Sequence, residues 1–579
     1  MIWGGAQQEL GQLEIVENTG LEFGRAYRTR LDRIADARWN VQLAGTINAP
    51  IRDGHVYLLS FHARCLRSTT GDGGLHVKLE RNGPDWASRI SRRVNFGREW
   101  TRFDLPFAVG RGEEFAAGES RLTFHLGSDL QTIEVGGIVL RDFADRVPLA
   151  SLPRTEVTYD GRGADAAWRE LADQRINQHR KAQLTIRVTD IHGKPIPNAT
   201  VRVKQQRHAF VFGTAMNLNF ATSDRPEVET YKQKLLERFN AVVFENALKW
   251  KGNDPWGLRN PAAVEAGIAF TQEHDLYVRG HTLVWPGTRH MPSHINDLIA
   301  QLRSDPEDQE ARAQLHQAVE DRITQTSSYL AGRVEEWDVV NEPFTNHALM
   351  DVLDPPGTPH GSGVMASWFG LAKSHAPDAR LFLNDYGILT AGNRWSPHQQ
   401  HFFDTAQQLL EAGAPLEGLG MQGHFGATLT SPSRLWAILD RYAQLGLPIK
   451  VTEFDVNIDD PQVLADYTRD FTTAVFAHPS VDGLLTWGFW AGAHWKPQAA
   501  HLNPDFTSRP HDLVLQDLLF NQWWTEEVVT TDSMGGAQLR AFKGDYEIGV
   551  EAPNHMTHLA LIKSFMDDQT ISVTLKTND

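Results

Sequence analysis

One cysteine, Cys65, stands in a chain of 579 residues, which excludes an intrachain disulfide and any zinc site built on paired thiolates, so the fold must rest on packing. No run of lysine and arginine offsets the net charge of -16. That balance argues against nucleic acid or an anionic lipid surface as a partner and favours an uncharged one. No stretch of about 18 apolar residues occurs, and no basic segment followed by an apolar one stands near Met1, so neither a membrane span nor a leader is expected. The HExxH zinc pattern and carboxylate-rich cation loops are missing as well, and neither a metal nor another cofactor is expected.

What is present has an ordinary globular balance, 41% hydrophobic and 22% charged, in a chain too long for one core. Residues 1–145 read as short alternating runs (HVYLLSFHAR, GLHVKLER, TRFDLPFAV, RLTFHLGS) broken by Gly, Asp and Pro, the pattern of a β-sandwich. Residues 146–182 form a polar connection, helix-prone from Ala164 to Gln183. LTIRVTDIHGKPIPNATVRVKQ then reads as a hairpin turning at Gly193, Pro195 and Pro197. From residue 207 to 524, eight buried-strand runs recur with amphipathic segments between them: AFVFG, AVVFEN, YVRGHTL, EEWDVV, ARLFLND, LEGLGMQ, LPIKVTE and VDGLLTW. That rhythm predicts a (β/α)8 barrel. After Thr525 the strand pattern returns, and residues 183–206 with 525–579 are expected to form one small β-sandwich interrupted by the barrel, because a lone hairpin is marginal in water and Ile548, Val550, Leu559 and Leu561 of the tail strands need cover.

Barrel enzymes build their sites at the carboxyl ends of the strands, and here those ends converge on one chemistry. Strand two delivers Glu245, Asn246, Lys249 and Trp250, and strand three His281 and Trp285. Strand four delivers Asn341 and Glu342, strand five Asn384, Asp385 and Tyr386, strand six Gln422 and His424, strand seven Glu453 and Asp455, and strand eight Trp487, with Trp490 and Trp495 close behind. Planar rings and bidentate polar groups are what sugars require, because a sugar presents apolar C–H faces and hydroxyl edges. The residues taken singly have plainer readings. Glu245 and Lys249 fit a helical ion pair, His281 a core histidine, Trp487 and Trp495 core packing, and His424 with Asp455 a structural pair.

In order along the chain, FENALKW, HTLVW, WDVVNEP, LNDY, GMQGH, TEFDV and WGFW followed by HW together resemble family 10 of the glycoside hydrolases, the endo-β-1,4-xylanases. The resemblance covers about His208 to Asn521. It implies a retaining mechanism in which Glu342 is the acid/base and Glu453 the nucleophile, with His424 and Asp455 orienting Glu453. It also implies that Glu245, Asn246, Lys249, His281, Trp285, Asn341, Tyr386, Gln422, Trp487 and Trp495 hold the sugars. The carboxyl groups of a retaining pair lie about 5 to 5.5 Å apart. Two positions depart from the family: Pro286 replaces a usual His and Gly387 a usual Asn, both bordering the leaving-group side. A Gly- and Pro-rich insert, FTNHALMDVLDPPGTPHGSG, follows Glu342 and suggests an ordered rim.

The first module is similar to the β-sandwich carbohydrate-binding modules of families 4, 9 and 22, with Trp39, Trp86 and Trp100 as either a stacking platform or core. The implied partner is xylan or a related β-1,4-linked polysaccharide, which places the protein outside the cytoplasm, secreted or periplasmic, with an intracellular location as the alternative. A related β-1,4-glycanase and a non-catalytic glycan-binding protein are the competing functions, and oligomeric state is open.

Overall fold

The computed structural model describes every residue except 18, 70–72, 84, 252–257, 259 and 578–579. The chain divides into two compact units, one of residues 1–158 with the short segments 391–396 and 427–429, the other of the remaining residues.

The first unit packs two five-stranded sheets face to face. Its longest strand, Val56–Ser68, shows why: Leu59, Phe61, Ala63 and Cys65 point inward while Ser60, His62 and Arg64 alternate outward. The free Cys65 is thus a small core residue. Trp39 and Trp86 are about half exposed, whereas Trp100 packs edge-on against Phe23 and lies under the Arg64 guanidinium.

In the second unit, the expected connecting helix runs from Trp168 to His179 and is firmly docked. Arg169 pairs with Asp470 at 2.7 Å, Tyr159 donates to the same carboxylate at 2.8 Å, and Trp168 meets Trp436 edge-on. The strands that follow correct one expectation. Lys181–Asp190 and Thr200–His208 do not pair as a hairpin; they lie in opposite sheets of one sandwich. Lys181–Asp190 is flanked by Gly536–Phe542 and Gln569–Leu575, while Thr200–His208 is flanked by Glu526–Thr530 and Gly544–Glu551. Pro195 and Pro197 donate no backbone hydrogen bond, so the intervening residues cross between the layers instead of closing a ladder, touching only at the Thr189–Pro195 bridge. The shared core of Leu184, Ile186, Val188, Val201, Val203, Ile548 and Val550 is fully buried. Leu559 and Leu561, expected to need cover, instead face outward at 66% and 73% exposure, because the strand His558–Phe565 turns Ile562 and Phe565 to the core.

Eight parallel strands from Val211–Met216 to Val481–Thr486 close the barrel, each one of the predicted runs. The register slips between His281 and Val284, Asp338 and Val340, Met421 and Gln422, and Val451 and Phe454. Such irregularities re-aim side chains, and these four lie towards the mouth, whereas a further one between Ile449 and Lys450 lies at the start of its strand.

Because both strands before the barrel are paired on either edge by strands after it, a chain truncated at Thr525 should lose hydrogen-exchange protection across Leu184–Val188 and Val201–Val203. Amide exchange read by mass spectrometry checks this; protection that survives the truncation would show that those strands do not depend on the tail.

Candidate active site

Glu342 stands one residue past the strand Glu336–Asn341 with φ of 55°, a left-handed conformation that costs a side-chain-bearing residue on the order of 1–3 kcal/mol. Two backbone bonds hold it there, from its own N–H to the Asn384 carbonyl at 2.8 Å and from the Asn346 N–H to its carbonyl at 3.1 Å. Its carboxylate accepts three further donors. Gln422 Nε2 reaches Oε1 at 2.8 Å, and Trp285 Nε1 and Asn346 Nδ2 reach Oε2 at 3.1 and 3.2 Å.

Glu453 lies in the strand Ile449–Val456 and is 4% exposed. Its register partner in the next strand is Gln422, the residue that also reaches Glu342, so one side chain spans from one carboxylate's strand to the other carboxylate. His424 Nε2 lies 3.0 Å from Glu453 Oε2, and Asn384 Nδ2 donates to Oε1 at 3.1 Å. The other His424 nitrogen meets Asp455 Oδ2 at 2.9 Å, and Asp455 accepts from Trp495 Nε1 at 2.8 Å.

These surroundings drive the two carboxyls apart. Burial pushes Glu342 up to about 7, and the charges of Glu453 and Asp385 add to it, although Gln422 and Trp285 favour the ionised form. Burial also penalises ionised Glu453, but there it is outweighed by the His424 bond and the fields of His281, His424 and Lys249, leaving Glu453 below the usual carboxylate range. For His424 burial is overcome by Asp455 and Glu453, which raise it to about 9. A protonated carboxyl beside an ionised one, each held by directional donors, is the equipment of a general acid paired with a nucleophile.

The remaining predicted residues gather around this pair. Lys249, 8% exposed, donates to Asn246 Oδ1 at 3.0 Å and lies over the Trp285 and Trp487 rings. Burial pushes Lys249 down and Glu245 up, each opposed by the other's charge. The segment after Ala241–Phe244 is a turn, so a helical pairing of these two does not arise. His281 is buried, with Nδ1 2.8 Å from Asp338 Oδ2. Asn341 is fully buried; its Oδ1 accepts from Asn384 at 2.8 Å, while its Nδ2 has no partner among the described residues. Trp285 stacks on His290 with ring centroids 3.5 Å apart. Tyr386 donates to Thr345 Oγ1 at 3.1 Å. Trp487 is buried against Ala215, Val243 and Leu485, whereas Trp495 is 51% exposed.

Three neighbours were not singled out from sequence: Asn346, Asp338 and His398. Asp338 sits four residues before Glu342 on the same strand, a spacing that could have flagged it. His398 reaches in from the helix Pro397–Glu411, which follows the strand Arg380–Asp385, its Nε2 3.0 Å from Asp385 Oδ1 and its ring stacked on Phe344. It takes the room left at Gly387, where a Cβ would stand 2.8 Å from His398 Nδ1. The insert after Glu342 opens with a mostly buried helix, Ala348–Leu353. Among the described residues no cluster of His, Cys, Asp or Glu is arranged to hold a metal ion, and no helix is long and apolar enough to cross a membrane.

A closed parallel barrel with two such carboxyls at its mouth defines a class of glycosidic-bond-cleaving folds. The family model of glycosyl hydrolase family 10 matches residues 202–515, more than half of the chain, and the chain belongs to that family. Among curated relatives, anti-sigma-I factor RsgI6 of Acetivibrio thermocellus is 31% identical over 388 residues, covering 67% of this chain and 47% of that protein. Endo-1,4-beta-xylanase 2 of Arabidopsis thaliana is 28% identical over 376 residues, covering 64% and 32%. This chain therefore spans less than half the length of either relative. Among solved structures, native xylanase 10B from Thermotoga maritima aligns with a TM-score of 0.47 at 25% identity, covering 54% of this chain and 96% of that one.

Since the His424 cation and its bond hold Glu453 ionised, His424→Ala should raise the Glu453 pKa and move the acidic limb of the kcat/KM profile to higher pH, with the basic limb little changed. An acidic limb at the same pH in the variant would assign His424 a packing role only.

Proposed function

We propose that this chain is a retaining endo-β-1,4-xylanase that hydrolyses xylan by double displacement. The observation that carries the reading is the opposed proton affinity of Glu342 and Glu453 within one site. Glu453 attacks the anomeric carbon as Glu342 gives its proton to the departing glycosidic oxygen; the released Glu342 carboxylate then takes a proton from water, and that water displaces Glu453 from the sugar. Asn341, with a buried N–H that no described residue accepts, donates to the 2-hydroxyl of the sugar being cleaved. Lys249, Asn246, Glu245 and His281 grip the glycone side, with Trp487 beneath and Trp495 as the outer wall; Tyr386 lines the leaving-group side. Because such a polymer is met outside the cytoplasm, we place the protein there, secreted or periplasmic.

One relative is named an anti-sigma-I factor and not a hydrolase, which gives the second reading, a non-catalytic glycan-binding barrel. The retained pair and its tuned charges favour catalysis. Release of reducing ends from xylan, cellulose and mannan in parallel tests both readings, and absence of release from all three would support the second.

Glu453→Ala should abolish turnover on every substrate. Glu342→Ala should lose most activity on xylan yet keep much on aryl glycosides with acidic leaving groups, because their departure needs no proton. Steady-state rates on both substrate types check this; equal losses on the two would refute the role given to Glu342.

Trp495→Ala should weaken transition-state binding by about 1–3 kcal/mol with an unchanged melting temperature, as an exposed stacking face is removed. Trp487→Ala removes buried packing too, so its melting temperature should also fall. A large stability loss in the Trp495 variant would make that ring structural.

A further inference from the structure

We propose that Asn346 is a positioning residue for the acid/base, closing Glu342 Oε2 to protonation so that Oε1 carries the catalytic proton, an inference that rests on the acid/base reading of Glu342. A carboxylate oxygen offers two acceptor positions. On Oε2 both are taken, by Trp285 Nε1 and Asn346 Nδ2, whereas among the described residues Oε1 receives only Gln422 Nε2. A proton on Oε2 would have to displace one of these bonds and set an N–H against an O–H in a largely buried site, which is costly. Oε1 keeps a free position, so the proton resides there and that oxygen meets the glycosidic oxygen. In the ionised state all three bonds become charge-assisted, and Asn346 therefore also lowers the proton affinity of Glu342.

The neighbourhood is built to admit this amide. A Cβ at Gly287 would stand 2.1 Å from Asn346 Oδ1. The backbone there, φ -99° and ψ 138°, is open to any residue. What the missing side chain supplies is room. The Leu349 N–H donates to the Pro286 carbonyl at 3.3 Å, tying the insert to the same loop, so the departure at Pro286, the neighbouring Gly287 and the reach of Asn346 form one local arrangement. Asn346 Nδ2 also lies 3.2 Å from Thr345 Oγ1.

The charged groups that act on Glu342 are Glu453 and Asp385, which oppose its ionisation, and Lys249; His290 and Lys251 lie against the Trp285 ring. All of them remain in the variants below.

The test is the pH dependence of kcat/KM on xylan for the full chain and for Asn346→Ala, Asn346→Leu and Gly287→Ala. Leucine keeps the branching of asparagine at Cγ, with a larger side chain and no donor, and alanine at 287 displaces the amide without altering residue 346. Each variant should move the basic limb upward by about 1 to 2 pH units, the scale of one hydrogen bond to a charged group, and leave the acidic limb in place. Asn346→Asp, which sets a second carboxylate beside Glu342, should move it furthest. Melting curves identify any variant that fails to fold, and Gly287→Ala, on the facing loop, then carries the comparison. A basic limb unmoved in the folded variants overturns the proposal while leaving the hydrolase reading standing; absence of turnover in the parent chain, or a basic limb unaffected by Glu342→Ala, overturns the acid/base reading and this inference with it.

Discussion

Closing a parallel barrel around ionised side chains is the constraint on which the site depends. Arg279, Glu336, Asp338 and Lys450 are all buried to less than 1% exposure, and an isolated charge there would be prohibitively costly. They alternate instead. Lys450 Nζ lies 2.7 Å from Glu336, Arg279 bonds both Glu336 at 2.6 Å and Asp338, and Arg380 reaches Glu336 at 3.0 Å. Burial opposes the ionised form of Glu336, yet Lys450, Arg279 and Arg380 together pull it down to about 2. Removing one member of such a set leaves an uncompensated buried charge, at a cost on the order of 3–5 kcal/mol. The network is therefore strict about register among the third, fourth, fifth and seventh strands.

Those strands are the ones that carry the chemistry. Glu336 lies at the start of the strand that ends beside Glu342, and Lys450 lies three residues before Glu453 on its own strand. Asp338 links the floor to the mouth, since its second oxygen holds His281, whose field helps keep Glu453 ionised. The ionised Glu453 in turn is one of the charges that raise Glu342. Protonation of Glu342 thus depends on ionisation of Glu453, which depends on side chains positioned by the barrel's packing.

Much of this was legible because burial in a parallel barrel is written in consecutive apolar residues. Runs such as AVVF and DVV have no polar alternation and lie buried on both faces, and polar residues directly after them mark the mouth. The two crossing strands were misread because alternation identifies a strand without naming its partner: LTIRV and TVRV each carry the period of two, but whether they pair with each other or face each other across a core depends on strands more than 300 residues away. Leu559 and Leu561 were misread for the same reason, since one face of an outer strand must be solvated and the sequence offers apolar residues on both. Trp285 shows the limit within a motif. Its ring was expected against a sugar, but its N–H goes to Glu342 and one face to His290, contacts that depend on loops and not on strand ends.

Both departures from the family pattern turn out to involve a glycine whose space is taken by a side chain from elsewhere, Asn346 against Gly287 and His398 against Gly387. Asn346 donates directly to Glu342. His398 stands beside Asp385 and counters the burial that raises it, favouring the ionised Asp385 whose charge raises Glu342. Asn346 favours the ionised form of Glu342, whereas the Asp385 charge that His398 sustains joins burial and Glu453 in opposing it. A carboxyl near 7 in a site this enclosed is then a balance between strong opposing influences.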